Sequence, residues 1–194
     1  MCIRDRYQDT THGEIVAQHR TKLGPCDAMT HNPMNGVSLL GHGNGTVTLW
    51  SPNMGAPLVK MLCHRGPIRS VAVDPQNGWY LATAGADAQV KIFDLRTYKE
   101  VHAYFSAAPA VSVDISQRGM LAVMYGSRAQ IWDSSAIRGA KASSPYLNHA
   151  TANGAEIAAA RFCPYDDALG VGHALGFSNA VSYTHLTLPT ILRV

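Results

Sequence analysis

Three times in this chain a short alternating run closes on an aliphatic–aromatic pair, at Leu49-Trp50, Ile92-Phe93 and Ile131-Trp132. The aromatics stand 43 and 39 residues apart. A period near forty limits the fold severely, because a unit that short cannot enclose a core and must bury its apolar face against the next copy. The parts recur in order inside each unit. Leu23-Gly24-Pro25 and Arg65-Gly66-Pro67 read as opening turns, with Pro109 in the matching place of the third unit. Ser70-Val71-Ala72-Val73-Asp74 and Ser112-Val113-Asp114-Ile115-Ser116 then alternate apolar and polar, as half-buried strands do. A turn with Gly36, Gly78 or Gly119 follows, then an apolar strand such as Leu81-Ala82-Thr83-Ala84, a second turn, and the strand that carries the aromatic.

Several short strands in each such period are the mark of a β-propeller blade. The expected fold is all-β, a propeller fragment with about three complete four-stranded blades and a partial blade at each end. The residues agree with the period. Cys63-His64-Arg65-Gly66, Val73-Asp74-Pro75, Leu81-Ala82-Thr83-Ala84-Gly85-Ala86-Asp87 and Val90-Lys91-Ile92-Phe93-Asp94 together resemble a WD40 repeat. In that family His, Ser/Thr, Asp and Trp form a hydrogen-bonded chain across a blade. The resemblance implies that role for His64, Thr83 and Asp87, and places Trp50 and Trp132 in the networks of their own units. Phe93 replaces the Trp of the second unit and has no ring N–H, so the chain there ends one bond short. The first unit has Asn44 at the Asp position and lacks the His, and the third has Gly126 there.

Residues 7–133 form the repeats, and 134–155 read as a loop-rich connection with one short strand about Tyr146-Leu147-Asn148-His149. Residues 156–181 read as a partial blade. The ends, 1–6 and 182–194, fit no blade position, resemble translated sequencing adapters and are set aside from the fold. A closed ring of seven blades needs about 300 residues, so the chain reads as part of a longer protein.

Composition removes several functions. Charged residues are 15% of the chain, against roughly 25% in average domains, so neither a solvated tail nor an arm binding nucleic acid by charge density is expected. The net charge of +3 permits contact with RNA without arguing for it. Apolar runs fall well short of the ~20 residues of a membrane helix, and the charged N-terminus is unlike a signal peptide. Cys2, Cys26, Cys63 and Cys163 are scattered, with neither the paired spacing of a zinc site nor the density of a disulfide scaffold. No Gly-x-Ser-x-Gly elbow accompanies His64 and Asp87, the nine histidines give no metal motif, and the glycine-rich run at 41–45 lacks the Lys of a phosphate loop.

Three longer segments carry more specific information. Asp9-Thr10-Thr11-His12-Gly13-Glu14-Ile15-Val16-Ala17-Gln18-His19-Arg20 opens the chain, and Gly41-His42-Gly43-Asn44-Gly45-Thr46-Val47-Thr48-Leu49-Trp50 follows. Near the end stands Arg161-Phe162-Cys163-Pro164-Tyr165-Asp166-Asp167-Ala168-Leu169-Gly170-Val171-Gly172-His173. Together they resemble a family of WD40 proteins associated with the U3 small nucleolar RNA, components of the small-subunit processome. The resemblance runs from about Tyr7 to Ala180 and implies a non-catalytic nucleolar scaffold supporting 18S pre-rRNA processing. It brings no catalytic residue, cofactor or metal ligand. The partners it implies are other processome proteins and, within the particle, U3 RNA or pre-rRNA. Arg65, Arg69, Lys91 and Arg96 are the basic residues expected at partner contacts. Two other readings stay open. One is a WD40 scaffold in another pathway, such as a ubiquitin-ligase receptor or signalling hub. The other is a propeller enzyme, for which His42 and His173, on like turns, are the recurrent candidates.

Overall fold

The computed structural model describes residues 4–106, 108–139, 142–165 and 168–181. Its strands fall into five antiparallel sheets. A leading pair joins β1 (Arg4–Gln8) to β2 (Ile15–Arg20). The first full blade is β3 (Cys26–His31), β4 (Ser38–His42), β5 (Thr46–Trp50) and β6 (Val59–Leu62), hydrogen-bonded in chain order. The second is β7 (Ile68–Val73), β8 (Tyr80–Gly85), β9 (Gln89–Asp94) and β10 (Lys99–Phe105). The third is β11 (Ser112–Ile115), β12 (Leu121–Tyr125), β13 (Arg128–Trp132) and β14 (Leu147–Ala150), and β15 (Ile157–Phe162), β16 (Ala168–His173) and β17 (Gly176–Val181) form a three-stranded sheet. This is a WD40 propeller arc. Arg4, Asp5 and Arg6, which the sequence assigns to no blade, pair within β1, whereas 182–194 lie outside the described residues.

The blades are stacked through their first strands, β3 against β7, β7 against β11 and β11 against β15. That stacking explains the burial. Every residue of β4 is buried, as are the last five of β8, because each middle strand is covered on both faces by neighbouring blades. The outer strands β6 and β10 keep exposed residues. The core is accordingly a series of layers between blades. Leu39, Val47 and Leu49 of the first blade meet Ile68, Val71 and Leu81 of the second. Val90 and Ile92 of the second meet Val113, Leu121 and Val123 of the third. Ala122, Met124 and Ile131 of the third meet Ile157, Leu169 and Val171. Each fully buried Leu, Ile or Val contributes about 1.5–3 kcal/mol, so no blade is stabilised by its own residues alone.

Polar groups bridge the same seams. Asn32 Nδ2 donates to the Gly78 carbonyl at 3.0 Å, and Ser70 Oγ accepts from the Val113 N–H at 3.1 Å. Asp114 accepts from the Phe162 N–H at 2.7 Å, and burial pushes its carboxyl above the usual carboxylate range. The 134–155 connection also holds a short helix, α1 (Ser135–Arg138), which no periodicity announces in four residues. Its Ala136 and Ile137 are fully buried against the second and third blades. Tyr104 Oη donates to the Ala136 carbonyl at 2.9 Å, and Arg138 Nη2 donates to the Asp74 carboxylate at 2.9 and 3.2 Å.

Candidate interaction surface

In the second blade the turn between β6 and β7 supplies His64, β8 supplies Thr83 and the turn before β9 supplies Asp87. His64 Nδ1 lies 3.0 and 3.2 Å from the two carboxylate oxygens of Asp87, and its Nε2 lies 2.9 Å from Thr83 Oγ1. A carboxylate can only accept, so Nδ1 carries the ring proton and Nε2 accepts from the Thr83 hydroxyl. Burial holds the imidazole below its usual pKa, with the Asp87 charge opposing that shift without overcoming it. Gly85 makes the arrangement possible: a Cβ there would lie 2.5 Å from both His64 Nδ1 and an Asp87 oxygen.

The first blade solves the same problem differently. Thr83 pairs across the ladder with Lys91, two residues before Phe93. The corresponding pair is Leu40 and Thr48, two residues before Trp50, so the hydroxyl has moved from the second strand to the third. Trp50 Nε1 donates to Thr48 Oγ1 at 2.8 Å, and Thr48 Oγ1 lies 2.7 Å from His42 Nε2. The sequence gives this unit no His in its opening turn, yet β4 provides one at the place of Gly85 in the second blade. Asn44, at the Asp position, caps its own turn instead, accepting from the Thr46 N–H at 3.1 Å. Thr48 was missed, and His42 was singled out only as an enzyme candidate, because the transposition is visible only once the strand register is known.

Trp132 enters no hydrogen bond among the described residues. Val123 stands at the place of Thr83, pairing with Gln130 two residues before Trp132, and the indole packs on Tyr104 with ring centroids 5.1 Å apart.

The four basic residues divide into two kinds. Arg65 and Arg69 are exposed, Arg65 in the opening turn and Arg69 at the bulge that interrupts pairing of β7 with β8. Neither side chain has an ion pair among the described residues. Lys91 Nζ instead pairs with Glu100 at 3.0 Å. Arg96 grips Asp94 through Nε and Nη2 at 3.1 and 2.7 Å, holding that carboxyl below the usual range, and lies 4.3 Å over the Trp79 ring. The two candidates for an enzyme have unlike surroundings. His42 is fully buried in its blade network, whereas His173 Nδ1 accepts from the Leu175 N–H in its own turn. Among the described residues no three His, Cys, Asp or Glu side chains gather as a metal site, and no helix is long and apolar enough to cross a membrane.

Repeating four-stranded blades, one of them with a His–Thr–Asp network, define a WD40-repeat propeller segment. Residues 145–182 match the BING4CT (NUC141) domain. The chain is 42% identical over 190 residues to U3 small nucleolar RNA-associated protein 7 of Saccharomyces cerevisiae, with 91% of this chain and 34% of that protein covered. It is 44% identical over 179 residues to human WD repeat-containing protein 46, covering 89% and 28%, and 40% identical over 173 residues to the Caenorhabditis elegans protein of that name, covering 89% and 29%. The segment is a part-length relative of these WD-repeat proteins and spans about a third of their length. The domain match is no separate module. It takes in β14, the outer strand of the third blade, so that hydrogen bonds join it to the repeats.

Proposed function

We propose that this segment belongs to a non-catalytic scaffold of the nucleolar small-subunit processome, supporting U3-dependent processing of the 18S rRNA precursor. The observation that carries this reading is 42% identity, over nearly the whole chain, to a protein named for association with U3 small nucleolar RNA. The fold supplies what such a role requires, a rigid stack of blades whose turns offer several surfaces for different partners. Arg65 and Arg69 are the residues assigned to partner contact, since both are exposed and carry no ion pair among the described residues. Lys91 and Arg96 are already neutralised by Glu100 and Asp94 and contribute less.

The test is to tag the full-length gene in its own organism, purify gently and probe the co-purified RNA for U3 and the rRNA precursor. Enrichment of both, resistant to moderate salt, is the expected result. Their absence from an intact, soluble preparation would overturn the processome assignment.

A further inference from the structure

The third blade has lost the residues that fill the other two, and a cleft has opened where they would lie. Gly126 takes the place of Asp87 and Val123 that of Thr83, each smaller or apolar. The result is a cavity of about 720 Å³, within the size range of ligand sites, between β10 and β13 and flanked by the connection at Ala142–Pro145. Tyr104, Phe105, Tyr125 and Trp132 form its walls and Arg128 stands at its rim. Phe105 is 75% exposed although it flanks a large apolar recess.

Trp132 and Arg128 both bring unpartnered donors to this cleft among the described residues. The Trp132 indole N–H makes no hydrogen bond among the described residues, whereas its counterpart in Trp50 donates to Thr48 at 2.8 Å. Arg128 is exposed and has no ion pair among the described residues, and none of the described residues lining the cleft is a carboxylate. An occupant therefore needs a bulky apolar group to displace water from the aromatic walls and an anionic acceptor within reach of Arg128. Aromatic residues and Arg around an apolar recess are the composition of protein-binding hot spots. Among the described residues Arg128 is the one cation that lines the cleft, poor provision for a nucleic-acid strand, whose binding depends on neutralising several phosphates.

We propose that this cleft binds an extended segment of a partner protein, with an aromatic or large aliphatic side chain seated among Tyr104, Tyr125 and Trp132 and a neighbouring Asp or Glu paired with Arg128. The degenerate repeat is thus a recognition site rather than a weakened blade.

The test uses the full-length protein. A random-peptide phage library is selected on the wild type and counter-selected on Ala108→Trp, a substitution on the exposed rim that obstructs the cleft. Recovered peptides are expected to place a bulky apolar residue within two positions of an acidic one. In fluorescence anisotropy, Arg128→Glu is expected to weaken such a peptide about tenfold or more, and changing the peptide's acid to Lys to restore much of the loss. Arg128 is exposed, so circular dichroism of that variant is expected to match the wild type. Equal recovery on both proteins, or peptides indifferent to Arg128→Glu, would overturn the proposal. So would a labelled oligouridine whose binding, rather than that of peptides, is lost in both variants; the cleft would then belong to RNA.

Discussion

His64 and Thr83 are joined at 2.9 Å across a blade boundary, since His64 arrives on the turn from the preceding outer strand while Thr83 sits in the middle of the next blade. The bond therefore pins one blade's end to its neighbour's centre. Thr83→Val leaves the buried His64 Nε2 without a donor, at a cost of about 1–3 kcal/mol. Thr48→Val should cost more, because that hydroxyl serves both Trp50 and His42. Urea denaturation of the two variants checks the order, and equal losses would count against the transposed network.

Gly85→Ala is expected to destabilise by about 1–3 kcal/mol, the usual cost of forcing a methyl into a filled site. The neighbours it meets are a carboxylate oxygen of Asp87 and the buried His64 ring, which has little room to move. The same substitution in a His64→Ala background should cost less, because the ring is gone and the Asp87 carboxylate that it held is free to turn away. A double-mutant cycle measures that coupling, and additive losses would show that the clash lies elsewhere.

The depressed His64 pKa makes stability depend on pH. Above about 6.5 the imidazole is neutral in both folded and unfolded chains, and its contribution is complete. As pH falls below that value the unfolded chain takes up a proton that the folded chain resists, so stability is lost as pH descends toward the folded pKa. The slope approaches at most about 1.4 kcal/mol per pH unit for one group. Thermal melts from pH 7.5 to 5 should fall less steeply for His64→Gln than for the wild type, and parallel curves would contradict the assignment.

Arg138 ties α1 to Asp74, a carboxylate with no exposed surface, sixty-four residues earlier in the chain. Arg138→Met should lose about 1.5–3 kcal/mol, the range for hydrogen bonds to a charged group, because Asp74 stays behind with its charge. Asp74→Asn with Arg138→Met should recover part of the loss. Hydrogen exchange at the Ala136 and Ile137 amides is expected to rise in the single variant. Unchanged exchange there would mean that burial of Ile137 alone holds the helix.

Much of the second blade could be read directly, because its His64, Thr83, Asp87 and Phe93 follow the repeat in order. The first blade's network could not. Thr48 is an ordinary strand residue, and His42 has no visible part in a network, until the pairing of Leu40 with Thr48 shows which hydroxyl faces the indole. α1 was invisible for another reason: four residues do not complete two helical turns, so they leave no periodic signal, and Ala136 and Ile137 are helical because the seam buries them.

Periodicity by itself determined the fold class, the order of strands in each blade and the positions of the aromatic residues. These are local consequences of alternation and turn chemistry, written within each forty-residue unit. Tertiary structure alone decided which side chains meet across seams: Asp74 with Arg138, Asp114 with Phe162, and the aromatic residues of the third blade around an opening. Such contacts join residues dozens of positions apart, and their partners are selected by register and blade stacking, quantities that no local pattern records.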